Sequence, residues 1–243
     1  MPRAGCGAAR RARPLFVAAV VAVAGPTGCT AGSGDPVGPS GAAAIRFVDA
    51  AGVSGIPVQD TRSWGSTWAD FVGDDGWPDL FVNRHGRYPW LLANNEGRFE
   101  LMQEDFYAGF FDRHGCVWGE ATGDGLIDLY CPQGADEGVG EGPNQLQAQT
   151  PSGFADIAAR VGVDDPGGRG RSANWMDADG DNDLDLFVGN KLRPEHTNLF
   201  FTNTGEGFRP ADVGLNDTLR TVNSTWADWD VDGDPDLLVL QYP

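Results

Sequence analysis

The chain has few basic residues and almost no lysine. Its 243 residues include 17 Lys and Arg against 35 Asp and Glu, and Lys191 is the single lysine. The net charge of -18 argues against a phosphate-binding surface, and therefore against nucleic acid as a partner. The apolar fraction of 41 %, with eight Trp and thirteen Phe, is too high for a disordered acidic chain, so the protein is expected to fold.

Long apolar runs are also scarce, and the main one lies near the N terminus. Leu15 to Ala24 follows four arginines and precedes a stretch of small residues that ends at Cys29. This order is typical of a secretory signal peptide, and the run is shorter than the about 20 residues that a membrane-spanning helix needs. We therefore expect residues 1–29 to be a leader and the protein to be exported.

The end of the leader decides how the protein would be anchored. Gly28-Cys29 resembles the end of a bacterial lipobox, which makes Cys29 a lipidation candidate, although Pro26 departs from that pattern. Cleavage after Ala24 is the alternative. Residues 30–44, rich in Gly, Ser, Pro and Ala, predict a flexible linker ahead of a domain at residues 45–243. The expected location is the cell surface or periplasm, as a lipoprotein, or outside the cell as a secreted protein.

The aspartates are concentrated in four short windows. In two of them an aspartate stands at every second position over nine residues, from Asp177 to Asp185 and from Asp228 to Asp236. Five carboxylates this close repel one another strongly unless a cation lies among them. Ca²⁺, which takes about six to eight oxygen ligands in flexible loops, suits such a sequence better than Mg²⁺. The windows at residues 120–128 and 70–79 are less regular copies.

The windows belong to an internal repeat. Their last aspartates, Asp79, Asp128, Asp185 and Asp236, lie 49, 57 and 51 residues apart. A strand-like apolar stretch follows each window, and Asn/Gly turn sequences in the first three units mark a hairpin further on. Two residues before each window stands one of the tryptophans Trp68, Trp118, Trp175 and Trp226. Each unit predicts about four short strands in roughly 50 residues, the size of one β-propeller blade.

The repeated motif is specific enough to suggest a family. Trp-x-Asp-x-Asp-x-Asp-Gly-x-x-Asp-Leu, followed by Asn-x-Leu-Phe-x-Asn-x-Gly-x-Gly-x-Phe, resembles the FG-GAP/VCBS repeat family, nearest its bacterial cartilage acidic protein-like group. The resemblance covers residues 45–243 and implies an all-β, calcium-loop β-propeller with about four repeats present. Propellers of this family commonly have about seven blades, and the sequence stops after the second strand of unit four. An incomplete ring is therefore expected.

The resemblance also implies a set of calcium ligands. The family's loop uses side chains at positions one, three, five and nine and the main-chain carbonyl at position seven. Carried over, the third site is Asp177, Asp179, Asp181, Asp185 and the carbonyl of Asp183. The fourth is Asp228, Asp230, Asp232, Asp236 and the carbonyl of Asp234. The second is Glu120, Thr122, Asp124, Asp128 and the carbonyl of Leu126. The first window has one extra residue, so only Asp75 and Asp79 align directly as ligands, and whether Asp70 and Asp74 join them after a bulge is left open by the sequence.

Other interpretations of the windows fit the spacing less well. An EF-hand loop closes with a bidentate Glu at position twelve between two helices, whereas that position is Val188 or Val239 here, in strand-like sequence. Zinc is disfavoured because the windows contain no Cys or His. Acidic turns without any metal are the remaining alternative, above all for the first window.

Two cysteines lie on the predicted strands that flank the second window. Cys116 and Cys131 would be nearly opposite each other if this loop closes a hairpin, and an exported protein meets an oxidising compartment. We therefore expect a cross-strand disulfide, with a pair of buried thiols as the alternative.

The sequence says less about function than about fold. We expect a calcium-binding module for adhesion, ligand binding or scaffolding, with a protein or glycan partner at the cell surface. The alternative is a carbohydrate-active enzyme, a lyase or hydrolase, since propellers also host catalytic sites. No carboxylate pair or other catalytic set is recognisable outside the windows, which favours binding. The tryptophans outside the repeated register, such as Trp64 and Trp229, are the better candidates for surface contacts, although packing in turns is the commoner role.

Overall fold

The computed structural model of the protein describes residues 49–57, 63–84, 87–102, 112–134, 142–191, 197–215 and 220–241. The expected leader with Cys29 and the expected linker lie outside these ranges. Among the described residues, helix is limited to two elements of four residues each, α1 (Ala51–Ser54) and α2 (Ala158–Val161). Within the described ranges, no helix has the length and apolar character needed to cross a bilayer. The all-β fold expected from the sequence is confirmed.

The strands of the described residues form four antiparallel sheets. The first sheet contains β1 (Ser63–Ala69), β2 (Asp79–Arg84), β3 (Trp90–Asn95) and β4 (Arg98–Leu101). The second contains β5 (Val117–Gly119), β6 (Asp128–Cys131), β7 (Gln145–Thr150) and β8 (Gly153–Asp156). The third contains β9 (Gly170–Met176), β10 (Asp185–Asn190), β11 (Leu199–Asn203) and β12 (Phe208–Pro210). The fourth contains β13 (Thr221–Ala227) and β14 (Asp236–Gln241).

Each sheet corresponds to one sequence repeat, and we call the sheets blades 1 to 4. The strands of a blade follow one another in sequence order, so the first strand lies at one edge and the fourth at the other. Blades 1 to 3 have the four strands that the repeat predicts, and the described part of blade 4 has two. Successive four-stranded meanders are the building units of a β-propeller, so the predicted blade architecture is confirmed.

The β3–β4 hairpin illustrates how the local sequence selects a turn. Glu96 and Gly97 form its two-residue tip, with φ of 52° and 87°, as a type I′ turn requires. Asn94 stabilises this turn, because its Oδ1 accepts a hydrogen bond from the N–H of Gly97 at 2.8 Å. The Asn/Gly signal in the sequence thus marks a real hairpin.

Consecutive blades pack face to face, and a repeated tryptophan lies in each interface. Its ring meets an aromatic residue on the second strand of the preceding blade, edge to face. The three pairs are Trp118 with Phe81, Trp175 with Tyr130 and Trp226 with Phe187. Trp68 has no earlier blade beside it among the described residues and is 52 % exposed. From their repeated register, core packing is expected of all four tryptophans, and this expectation is wrong for Trp68.

The interface between blades 1 and 2 also contains a disulfide. Cys116, just before β5, is bonded to Cys131 at the end of β6, with the two Cα atoms 4.2 Å apart. Both residues are buried, and they pack in one apolar cluster with Phe81 and Leu129. The bond therefore connects the first two strands of blade 2 at the place where blade 1 rests on them.

Candidate metal centre

The four acidic windows occupy equivalent places in the fold. Each one is the loop between the first and second strands of its blade, β1–β2, β5–β6, β9–β10 or β13–β14. The first strands are neighbours from blade to blade, as the 2.9 Å hydrogen bond between the hydroxyls of Ser172 in β9 and Ser224 in β13 illustrates. The acidic loops therefore lie at the same end of the blades.

The last aspartate of each loop, at position nine, connects the loop to the sheet. In blade 3, Oδ2 of Asp185 accepts the N–H of Ala178 at 3.0 Å, and Oδ1 accepts the N–H of Asn203 in β11 at 2.9 Å. Asp79 and Asp128 accept the equivalent pair of bonds in blades 1 and 2. These three carboxylates are buried. Position nine is therefore a structural anchor of the loop.

Burial makes the negative charge of this anchor unfavourable. It raises the pKa of Asp185 to about 6, although the N–H groups of Asn203 and Ala178 oppose the change, and the nearby carboxylates of Asp179 and Asp181 raise the pKa further. Burial also raises the pKa of Asp128. A positive ion in the loop would favour the ionised form of both residues.

The acid at position one organises the turn of the loop. Asp177 accepts the N–H groups of Gly180 and Asp181 through Oδ1 and that of Asn182 through Oδ2. Asp228 accepts the N–H of Asp232 at position five in the same way. In blade 2, Oε1 of Glu120 accepts three successive N–H groups, those of Thr122, Gly123 and Asp124. The longer side chain at position one thus preserves the turn.

The structure resolves the alignment of the irregular first loop. Asp70 accepts the N–H of Asp75 at 3.4 Å and that of Gly76 at 2.6 Å, which are the bonds that position one makes to positions five and six elsewhere. Asp75 accepts the N–H of Trp77, as Asp181 and Asp232 accept that of position seven. Asp70 therefore takes position one, a role that the sequence left open, and the extra residue lies between positions one and five.

Left-handed residues give the loops their curvature. Position six is Gly76, Gly125, Asn182 or Gly233, and each has a positive φ. Position four of the fourth loop is Val231, with φ of 62°. A left-handed conformation is unfavourable for a β-branched residue, and Val231 is also 84 % exposed. The loop shape is thus maintained even where the residue type opposes it.

Two of the loops each bring three carboxylates together. Oxygens of Asp177, Asp179 and Asp181 lie within 4.8 Å of one another in the third loop, and so do oxygens of Asp228, Asp230 and Asp236 in the fourth. In the third loop, partial desolvation and the carboxylate of Asp181 raise the pKa of Asp179. Oxygen donors on a flexible loop, with an excess of negative charge, fit a hard divalent cation such as Ca²⁺.

The remaining predicted ligands lie outside these two groups. In the third loop Asp185 is engaged with main-chain N–H groups, and the side chain of Asp183 lines a surface pocket with Thr122 and Glu206. Asp232 and Asp234 complete the fourth loop without joining its group of three. The first loop, with Asp75 and Asp79, has no such group among the residues that the structure describes. The same holds for the second loop, with Glu120, Asp124 and the carbonyl of Leu126.

Two amide side chains connect the loops of neighbouring blades. Asn203 in β11 donates from Nδ2 to the carbonyl of Ala121, in the second loop, at 3.2 Å. Gln149 in β7 donates from Nε2 to the carbonyl of Phe71, in the first loop, at 3.3 Å. Sequence reasoning missed these contacts, because it assigned the repeated Asn only to the hairpin turn. Their signal was the amide residue that recurs at Asn94, Gln149 and Asn203.

The comparison with known proteins agrees with this geometry. Residues 177–239, from the third acidic loop to the end of the fourth repeat, match the family model described as FG-GAP-like repeat. No curated protein matches the chain. The matched segment contains both groups of three carboxylates, the strands β10 to β13 and most of β14. The resemblance to FG-GAP repeats seen in the sequence is thereby confirmed over residues 177–239.

Proposed function

We propose that this protein is an exported, calcium-binding β-propeller module whose task is binding or scaffolding and not catalysis. The observation that carries the proposal is the convergence of three carboxylates in each of two equivalent loops. The residues that would hold Ca²⁺ are those at positions one, three, five and nine, with the main-chain carbonyls of Asp183 and Asp234 at position seven. Bound Ca²⁺ would neutralise the loop and favour the ionised form of Asp185.

The order of the four loops in calcium affinity follows from their charge. The third and fourth loops each offer four aspartates at the side-chain positions, whereas Thr122 replaces one of them in the second loop. Fewer formal charges give weaker binding. We therefore expect the third and fourth loops to fill before the second. The first loop, in which an extra residue interrupts the spacing between positions one and five, is expected to fill weakly or not at all.

The proposed location rests on the leader and on the disulfide. The charged, apolar and small-residue segments of residues 1–29 fit an export signal, with Cys29 as the point of lipid attachment if the lipobox is used. The Cys116–Cys131 bond is of the kind that persists in oxidising compartments. The module would then present a surface to proteins or glycans outside the cytoplasm.

Calorimetric titration and thermal unfolding with Ca²⁺, Mg²⁺ or chelator test the calcium proposal. A site with ligand at about 100 times its Kd stabilises the fold by about 2.7 kcal/mol, which is easily detected. We expect a rise in Tm that is selective for Ca²⁺ and a stoichiometry of two or more. An equal response to Mg²⁺, or none to either ion, would rule the proposal out.

Matched variants assign the binding to individual loops. Asp179→Asn and Asp230→Asn each remove one charge at position three but retain an oxygen that can accept the N–H of position five. Each is expected to weaken one site and leave the other unchanged. Glu100→Gln in β4 removes an exposed charge away from the loops, so it serves as the control.

A further inference from the structure

The end of the blades opposite the acidic loops carries an irregularity that recurs in each first strand. In β9, Gly170 pairs with Asn190 and Ser172 with Gly189, so Arg171 is an extra residue without a partner position in β10. β1 and β13 have the same kind of shift near their first residues. In blade 2 the Arg113–Gln133 bridge precedes the regular β5–β6 pairing with one extra residue. Such bulges turn a side chain out of the regular sheet.

The bulge position holds a different residue in each blade. Counting four residues back from the repeated tryptophan gives Trp64, His114, Arg171 and Val222. The tryptophan itself recurs in all four repeats, and in the last three it packs between blades, whereas this position varies in size, charge and polarity. Packing between blades therefore does not prescribe one residue type at this position.

Three of these side chains are neighbours. The rings of Trp64 and His114 have centroids 5.4 Å apart. A Cβ on Gly134 would lie 2.7 Å from Cδ2 of His114, 2.5 Å from Nη1 of Arg171 and 2.6 Å from Oδ2 of Asp112. An imidazole, a guanidinium and a carboxylate thus meet beside Gly134, where a side chain would not fit, and the Trp64 ring lies next to the imidazole.

The imidazole in this group is held firmly. Nε2 of His114 lies 2.9 Å from Oδ1 of Asp112, and both side chains are buried. The backbone of this segment is also fixed, since the N–H of His114 donates to the carbonyl of Pro132 at 3.1 Å and Asn83 of blade 1 donates to the carbonyl of Arg113. Trp64, in contrast, is 48 % exposed and presents its ring to solvent. The site thus combines the buried, hydrogen-bonded pair of His114 and Asp112 with the exposed ring of Trp64.

Basic residues surround this group, although the chain as a whole is strongly acidic. The N–H of Lys191 donates to the carbonyl of Arg169 at 2.9 Å, next to the bulge at Arg171, and Arg220 directly precedes β13. Burial lowers the pKa of Lys191, and Arg171, Arg169 and Arg220 lower it further. Among the described residues, Arg169, Arg171, Lys191 and Arg220 therefore lie in one region at the end of the blades opposite the acidic loops. Two aspartates lie there as well, Asp112 and Asp165, the second of which accepts a hydrogen bond from Nδ2 of Asn190 at 2.9 Å.

We propose that this group, which we call the bulge site, binds an acidic carbohydrate. Trp64 has an apolar ring on which the C–H face of a pyranose can stack. Arg171, whose Nη1 also donates to the carbonyl of Gly170 at 2.9 Å, carries the planar guanidinium that suits a sugar carboxylate. Arg169, Lys191 and Arg220 supply the positive field that attracts a uronate chain. The inference rests on the proposed binding role of the protein, and it names the ligand class and the binding site.

A nucleic acid fits the same features less well. A polynucleotide places one phosphate on every residue and would extend beyond the cationic region toward surfaces that are acidic, in a chain of net charge -18. An oligosaccharide with a carboxylate on alternate residues needs a cationic region of limited size, together with one stacking platform. The bulge site offers both.

The test is calorimetric titration of the full, folded protein with a hexasaccharide of alternating glucuronic acid and N-acetylglucosamine. The control ligand is the neutral hexasaccharide of N-acetylglucosamine. We expect binding of the acidic probe, at least tenfold weaker binding of the neutral one, and loss of affinity with added salt because exposed charges are screened. Absence of binding, or equal binding of both probes, would overturn the proposal.

Variants distinguish the bulge site from a general attraction of anions. Trp64→Ala and Arg171→Gln are each expected to weaken binding of the acidic probe at least tenfold. Trp229→Ala, which removes a tryptophan that is 62 % exposed in the fourth loop, and Arg209→Gln in β12 should leave the affinity unchanged. Equal losses in the site variants and these controls would contradict the assignment.

The same samples separate this proposal from the calcium proposal. The bulge site contains none of the expected calcium ligands, so Trp64→Ala and Arg171→Gln should retain the wild-type calcium stoichiometry and Tm shift. A protein that binds Ca²⁺ but not the acidic probe refutes only the bulge site. A protein that binds the probe without any calcium response refutes only the calcium loops.

Discussion

Asn203 of blade 3 donates a hydrogen bond from its side-chain amide to the carbonyl of Ala121, in the acidic loop of blade 2. Its main-chain N–H donates to Asp185 in its own blade. Asn203 is therefore hydrogen-bonded both to the position-nine aspartate of the third loop and to the backbone of the second loop. The loops are not independent turns, because the structure of one is tied to the blade that follows it.

The first prediction concerns this connection. Asn203→Ala removes the amide and leaves the buried carbonyl of Ala121 without this donor, so the free energy of unfolding should fall by about 1–3 kcal/mol. Urea unfolding measures the change. Asn94→Ala is the matched control, because the amide of Asn94 donates to Pro78 within its own loop and crosses no blade interface. A smaller loss for Asn203→Ala than for Asn94→Ala would contradict the connecting role.

The second prediction concerns the left-handed valine. Val231→Gly removes the strain of a β-branched residue at φ of 62°, which outweighs the extra freedom that glycine gives the unfolded chain. The protein should gain about 0.5–1 kcal/mol in the free energy of unfolding, measured in chelator. Asn182→Gly should gain less, since Asn tolerates this conformation better than Val. An unchanged or lower stability of Val231→Gly would show that the loop stores no such strain.

The third prediction concerns pH without calcium. The pKa of Asp185 is raised in the folded state to about 6, so the folded protein binds its proton more tightly than the unfolded chain does. This contribution to stability is present below about pH 4 and is lost as the pH rises through about 6. Urea unfolding in chelator should therefore show stability falling between pH 4.5 and 7.

Calcium should reverse that trend, because the ion favours the ionised carboxylates. With saturating Ca²⁺ the free energy of unfolding should rise over the same pH interval, and the apparent calcium affinity should increase with it. Parallel pH profiles with and without Ca²⁺ would contradict the coupling between the anchor and the metal.

The fourth prediction concerns the disulfide. The double variant Cys116→Ala/Cys131→Ala removes a bond between two residues that are 15 positions apart in the sequence. In the chain-entropy account, this loss costs about 2–3 kcal/mol of stability. Unfolding by urea without reductant measures the loss. Reduction of the unmodified protein should produce a similar decrease, whereas the double variant should be insensitive to reductant.

The sequence predicted the parts of the fold that local pattern determines. The aspartate windows, the strands after them and the Asn/Gly turns follow from residues close together in the chain, and each lies where the repeat placed it. The extra residue in the first window defeated alignment, since only the hydrogen bonds of Asp70 to Asp75 and Gly76 show which acid takes position one.

The bulge site could not be predicted, because its residues come from different repeats. The sequence gives no indication that Trp64, His114 and Arg171 are neighbours until the first strands of blades 1, 2 and 3 are placed side by side. The amino-acid composition also does not indicate that several cations lie close together at this site. A net charge of -18 describes the whole chain, whereas Arg169, Lys191 and Arg220 meet only through the pairing of β9 with β10 and the position of β13.

The direction of the tryptophan contacts has a consequence for how the protein forms. Trp118, Trp175 and Trp226 each reach back to the blade before their own, so every blade docks on a surface made of residues synthesised earlier. A segment emerging from the ribosome can therefore dock on residues that were synthesised before it. Assembly can thus advance vectorially, one repeat at a time, without waiting for the rest of the polypeptide.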